Sequence, residues 1–124
     1  MKRLISFSLI ALITVLSACG PASYKNVSVK DLANASENNK VILDVREDWE
    51  YAEGHVPGAI LIPLGELERR ASELSKVDTL YVICRSGNRS QQASDILIKE
   101  GFKNVKNVQG GTLAWVQAGY QIEQ

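Results

Sequence analysis

The chain has 124 residues, 45% of them hydrophobic, with 14 Lys and Arg against 14 Asp and Glu. That length suits one domain with a single modest core, and the balanced charge leaves no general basic patch for nucleic acid. Two cysteines and one histidine offer no metal-ligand spacing, so no metal is expected.

The first residues read as an export signal. Lys2 and Arg3 precede an apolar run from Leu4 to Leu16, interrupted only by Ser6, Ser8 and Thr14. Such a run is short for a membrane span and ends in small residues suited to cleavage. Leu16-Ser17-Ala18-Cys19 resembles the lipobox of bacterial lipoproteins, in which cleavage before the cysteine leaves it as an acylated N-terminus. The alternative is an ordinary signal peptide cut near Ala18; both export the protein. The expected organisation is a signal over residues 1–18, a lipidated tether over 19–26 and a folded domain over 27–124. The protein would be held to a bacterial membrane by lipid on Cys19, facing the periplasm or exterior. Cys84 is then the remaining cysteine in a compartment where disulfides form, which asks for a functional reason.

After the tether, Ser28 with Asp31 has the spacing of a capping box and predicts a helix over 29–37. Val41-Ile42-Leu43-Asp44-Val45 is an apolar run broken by one acid, the pattern of a strand covered on both faces. Residues 46–53 begin with acids and carry the rings of Trp49 and Tyr51, which predicts a short helix stopped by Gly54. His55-Val56-Pro57-Gly58 is a turn and 59–62 a short strand. Leu67, Ala71 and Leu74 have helical spacing within 65–74, with the charged face solvated.

The next strand, 79–83, leads into Cys84-Arg85-Ser86-Gly87-Asn88-Arg89-Ser90 and a helix over 90–100, with Ala93, Ile96 and Leu97 toward the core. A strand over 105–108, a Gly110-Gly111 turn and a helix over 112–118 follow, with Leu113, Trp115 and Val116 expected in the core. Alternating strands and helices argue for an α/β layer fold with a mostly parallel sheet.

Cys84 would then sit at the carboxyl end of a central strand, where ligands bind in open α/β sheets. Gly87 permits a positive φ, so that consecutive amides can turn inward as an anion cradle. Those amides, the helix N-terminus, and Arg85 and Arg89 all favour thiolate over thiol. A nucleophile and an anion site would coincide.

Three segments together resemble the rhodanese domain of sulfurtransferases. They are Leu43-Asp44-Val45-Arg46-Glu47 with Glu53-Gly54-His55-Val56-Pro57-Gly58-Ala59, then Cys84 to Ser90, then Gly101-Phe102 with Gly110-Gly111 and Trp115. The resemblance implies a three-layer α/β/α domain with a five-stranded parallel sheet, the cysteine-bearing strand at its centre. It also implies that the Cys84 thiolate takes a sulfane sulfur from a donor such as thiosulfate and passes it, as a persulfide, to a thiol or cyanide. No organic cofactor or metal is needed, and a monomer is expected. The loop from Arg85 through Ser86, Gly87 and Asn88 to Arg89 would bind the substrate, with Arg85 on the donor's oxyanion. Arg89 either does the same or pairs with Asp44 to hold the loop. Asp44, Arg46 and His55 are expected to support the site structurally.

Two rivals use the same thiolate. A phosphatase-like or arsenate-reducing enzyme typically places five residues between cysteine and arginine, whereas Cys84 and Arg89 enclose four. A persulfide carrier or redox and partner-binding module at the cell envelope would load Cys84 without turnover.

Overall fold

The computed structural model describes residues 23–74, 77 and 79–124. The segment read from sequence as an export signal lies outside them, and so does Cys19. Five strands, β1 (Lys25–Val27), β2 (Lys40–Asp44), β3 (Ile60–Leu61), β4 (Thr79–Ile83) and β5 (Val105–Val108), form one sheet in the order β1-β5-β4-β2-β3. All neighbours are parallel, as the resemblance implies. The helices are α1 (Val29–Ala33), α2 (Asp48–Glu53), α3 (Leu67–Arg70), α4 (Asn88–Lys99) and α5 (Gly111–Gln117).

The central strand β4 is buried at every residue, because its alternate side chains enter two different cores. Leu80 and Val82 point to one face, with Leu67 of α3 and Ala93 and Leu97 of α4. Tyr81 and Ile83 point to the other, with Leu32 of α1 and Trp115 of α5. Each fully buried Leu or Ile contributes about 1.5–3 kcal/mol. Together the two faces make a three-layer α/β/α sandwich. The chain crosses from β3 back over β2 to β4, so the crevice at the carboxyl ends of β2 and β4 is where the strand order reverses and the site can form.

Several elements differ from their sequence readings. The Ser28–Asp31 capping box is present, but α1 stops at Ala33. Beyond it, Glu37 reaches the Tyr81 hydroxyl at 2.9 Å and the Lys106 ammonium at 3.3 Å, contacts that draw this segment out of the helix. Lys25 and Asn26, read as tether, belong to β1, where Asn107 Nδ2 donates to Asn26 Oδ1 at 2.9 Å. A three-residue edge strand is too short to show a periodic pattern. α2 begins at Asp48 rather than 46, because Arg46 is engaged by Asp44. The 65–74 segment is a 3₁₀ turn, a single α turn and a second 3₁₀ turn, yet Leu67, Ala71 and Leu74 are buried as expected. Leu113 and Val116 are exposed, not core. α5 has only seven residues and buries Thr112 and Trp115 on its inner face, leaving 113 and 116 outward.

Candidate functional site

Cys84 follows β4 directly and its side chain is 1% exposed. The chain turns at Gly87, whose φ of 115° would strain any residue with a Cβ, and enters α4 one residue later. This turn brings the Gly87 N–H to within 3.1 Å of Cys84 Sγ. Ser90 Oγ lies 3.4 Å from the sulfur and donates to the Gly87 carbonyl at 3.0 Å. In the thiol form Sγ–H can donate to that hydroxyl; in the thiolate form the hydroxyl can rotate to donate to sulfur.

The loop is held from outside by the start of α5. Thr112 donates to the Cys84 carbonyl through both its N–H, at 2.8 Å, and its Oγ1, at 3.1 Å. The Leu113 N–H binds the Arg85 carbonyl at 3.1 Å. With these carbonyls drawn outward, the loop's amides are left to turn toward the sulfur. Gly111 makes the approach possible: it has a φ of 59°, and a Cβ there would collide with the Cys84 and Arg85 carbonyl oxygens.

Burial by itself pushes the Cys84 thiol up. The Ser90 hydroxyl and the N–H groups of Ser90, Gly87 and Ser86 outweigh it, and the thiol ends below its ordinary value. The sequence reading assigns a share of this to the charges of Arg85 and Arg89. The structure gives the dominant favourable part to hydrogen bonds, because Arg85 is exposed and Arg89 is engaged elsewhere.

Arg89 makes a bidentate pair with Glu50, at 2.6 and 2.9 Å. Both of its terminal nitrogens go to Glu50, so the Arg89–Asp44 pair offered as one alternative is not formed. Asp44 is fully buried and instead takes Arg46, with Nη2 to Oδ2 at 2.8 Å and Nε to Oδ1 at 3.0 Å. Arg46 Nη2 also donates to the Gly54 carbonyl at 2.8 Å, tying the end of β2 to the end of α2. That fixes α2, which carries Glu50 across the crevice to Arg89. The Arg89 hydrogen bonds hold the Glu50 carboxyl down to about 2, against the opposing effect of burial.

The structure therefore brings Cys84, Ser86, Gly87 and the start of α4 into one cradle, with Asn88 and Arg85 exposed at its margin. Among the described residues Arg85 has no ion-pair or side-chain hydrogen-bond partner. His55 stacks on Tyr51 with ring centroids 3.7 Å apart, and its Nδ1 lies 2.8 Å from the Tyr51 carbonyl, so it braces its turn. Glu50 and Thr112 are contributors that the sequence reading does not name, and Ser90 and Gly111 enter it as motif residues without a role at the site. Ser90 closes the Cys84–Ser90 segment and could have been found from its place in the first turn of α4. Glu50 is one acid among several in its stretch, with no local mark.

Comparison with known proteins agrees with this arrangement. YrkF of Bacillus subtilis, which bears the name of a sulfur carrier protein, is 50% identical over 80 residues, covering 64% of this chain and 43% of its own. A sulfurtransferase of Allochromatium vinosum is 35% identical over 88 residues, covering 71% of this chain and 82% of its own. The crystal structure of a rhodanese-like domain protein from Staphylococcus aureus superposes with a TM-score of 0.70 at 31% identity, covering 81% of this chain and 99% of that one. The sequence profile of the rhodanese-like domain matches residues 28–118. With most of its length matched, and with a parallel sheet that delivers a cysteine into an amide-lined loop, the chain belongs to the rhodanese-like domain family.

Proposed function

We propose that the protein transfers sulfane sulfur through a persulfide on Cys84. The observation that carries this reading is the cradle itself: a buried sulfur that accepts the Gly87 N–H at 3.1 Å and has its thiol lowered by surrounding donors. The names of the relatives support the same chemistry. With thiosulfate as donor, the thiolate attacks the terminal sulfur and the Sγ–S bond forms. The original S–S bond breaks, and sulfite leaves with its electron pair. The persulfide's outer sulfur carries negative charge, which the amides of Ser86 and Gly87 and the N-terminus of α4, at Asn88, are placed to stabilise. Arg85 holds the oxyanion of the donor, and Arg89 with Glu50 holds the loop. A thiol or cyanide then takes the outer sulfur and restores the thiolate.

Intact-mass measurement after thiosulfate tests this. Cys84 is expected to gain one sulfur atom, and cyanide to remove it as thiocyanate. Turnover with no sulfur ever trapped on Cys84, or turnover that persists in Cys84→Ser, refutes the covalent route. A persulfide carrier shares the loading step and differs in showing no steady-state thiocyanate production. The phosphatase-like reading is disfavoured because the Arg89 guanidinium, the group that would bracket a tetrahedral oxyanion, is taken up by Glu50.

A further inference from the structure

Asn107 of β5 is fully buried. Its Nδ2 donates to Asn26 Oδ1 at 2.9 Å, but its own Oδ1 has no partner, the one such buried side-chain nitrogen or oxygen among the described residues. Buried polar atoms are nearly always matched, so an unmatched one calls for an explanation. Asn107 lines a pocket of about 390 Å³ between the turn after β5 and the cysteine loop, with Ser86, Asn88 and Gln91 on one side and Gln109 on the other. Arg85 and Arg89 do not line it.

We propose that this pocket binds the main chain of a neutral peptide segment of a partner protein. The inference goes beyond sulfur transfer and holds whether or not Cys84 turns over. No lining side chain is charged, so the pocket does not select an ion. None is aromatic, so there is no platform on which a sugar ring or a nucleobase would stack. What the pocket offers is amides. Asn88, Gln91 and Gln109 are exposed, and their side chains have no hydrogen-bond partner among the described residues. Each carboxamide carries an acceptor and two donors on one planar group, the complement of a peptide unit, with which it can form two hydrogen bonds.

The first turn of α4 adds backbone N–H groups that have no partner within the helix, beside Asn88, where a peptide carbonyl can receive them. Asn107 Oδ1 then accepts the peptide N–H. One water would also satisfy that oxygen, but its share of volume is about 30 Å³, a small part of the space present. The N–H groups of Ser86 and Gly87 face Cys84 Sγ while the same residues form part of the pocket wall. A partner held here therefore rests against the outside of the cysteine loop.

Acetyl-triglycine amide is the probe. Its fully N-methylated counterpart keeps the carbonyls and has no N–H, which makes it the control. Titrations into the isotope-labelled protein are followed by proton–nitrogen correlation spectra. Saturable shifts are expected at the backbone amides of Gly87, Asn88 and Gly110 and at the Asn107 side-chain amide. The N-methylated form should bind about fivefold more weakly, the scale of a lost neutral hydrogen bond. Asn107→Leu should weaken the peptide by about fivefold and bring it level with the control, and Gln109→Ala should weaken it about threefold. Gln109 is exposed, so that variant is expected to fold and carries the test if Asn107→Leu does not. Equal affinity for the two probes in wild type, or no saturable shift at these residues, overturns the proposal. Shifts with methyl glucoside and none with the peptide would give the pocket to a sugar, which overturns it as well.

Discussion

Replacing Glu50 with Gln keeps the side chain's size but removes the charge that Arg89 meets. The pair joins α2 to the first turn of α4 across the mouth of the site, with the Glu50 side chain 7% and the Arg89 side chain 30% exposed. Moving the carboxyl from 4.5 to about 2, at 1.36 kcal/mol per pH unit, corresponds to about 3 kcal/mol of coupling. Because Arg89 is partly hydrated, water recovers some of this when the partner is lost. Glu50→Gln should therefore cost about 2 kcal/mol near pH 7. The folded state lowers this carboxyl's affinity for protons, so its contribution is fully present above pH 4.5 and is lost as pH falls toward 2. Urea unfolding followed by tryptophan fluorescence, repeated from pH 7 to pH 3, should show the gap between wild type and variant shrinking by roughly half at the acid end. A gap that stays constant over that range, or a variant as stable as wild type at pH 7, refutes the coupling.

Ser90→Ala removes a donor to Cys84 Sγ, so the alkylation-rate profile of Cys84 should move to higher pH; an unmoved profile would take the hydroxyl out of thiolate stabilisation. Gly111→Ala forces a Cβ onto the Cys84 and Arg85 carbonyls at a φ of 59° and should cost about 3 kcal/mol or more of stability by urea titration. Gly65→Ala, with nothing within 4 Å of the new Cβ, should stay within about 0.5 kcal/mol of wild type. If the two behave alike, close packing of α5 on the cysteine loop is not what Gly111 serves. Cys19→Ala should release the protein from membranes or block its processing, and a wild type found free of membranes on cell fractionation would count against lipid anchoring.

Much of the site was legible locally. The apolar Tyr81-Val82-Ile83 run needs cover on both faces, which makes a central strand of it, and the cysteine at its end followed by Gly87 marks the turn into α4. These features depend on near neighbours in sequence, and backbone conformation and burial pattern express them directly. Contacts between distant segments were decided only by the tertiary fold. Asp44, Glu47, Asp48, Glu50 and Glu53 crowd one short stretch, and spacing does not say which of them Arg89 will meet. The choice follows from Arg46 binding Asp44 and fixing α2, so that Glu50 arrives across the crevice from 39 residues away. The α5 cap on the Cys84 carbonyl, from 28 residues away, is equally invisible until Gly111 lets the two backbones meet. The outward positions of Leu113 and Val116 follow from how α5 lies on the sheet: a seven-residue helix has one inner face, and packing gave it to Thr112 and Trp115.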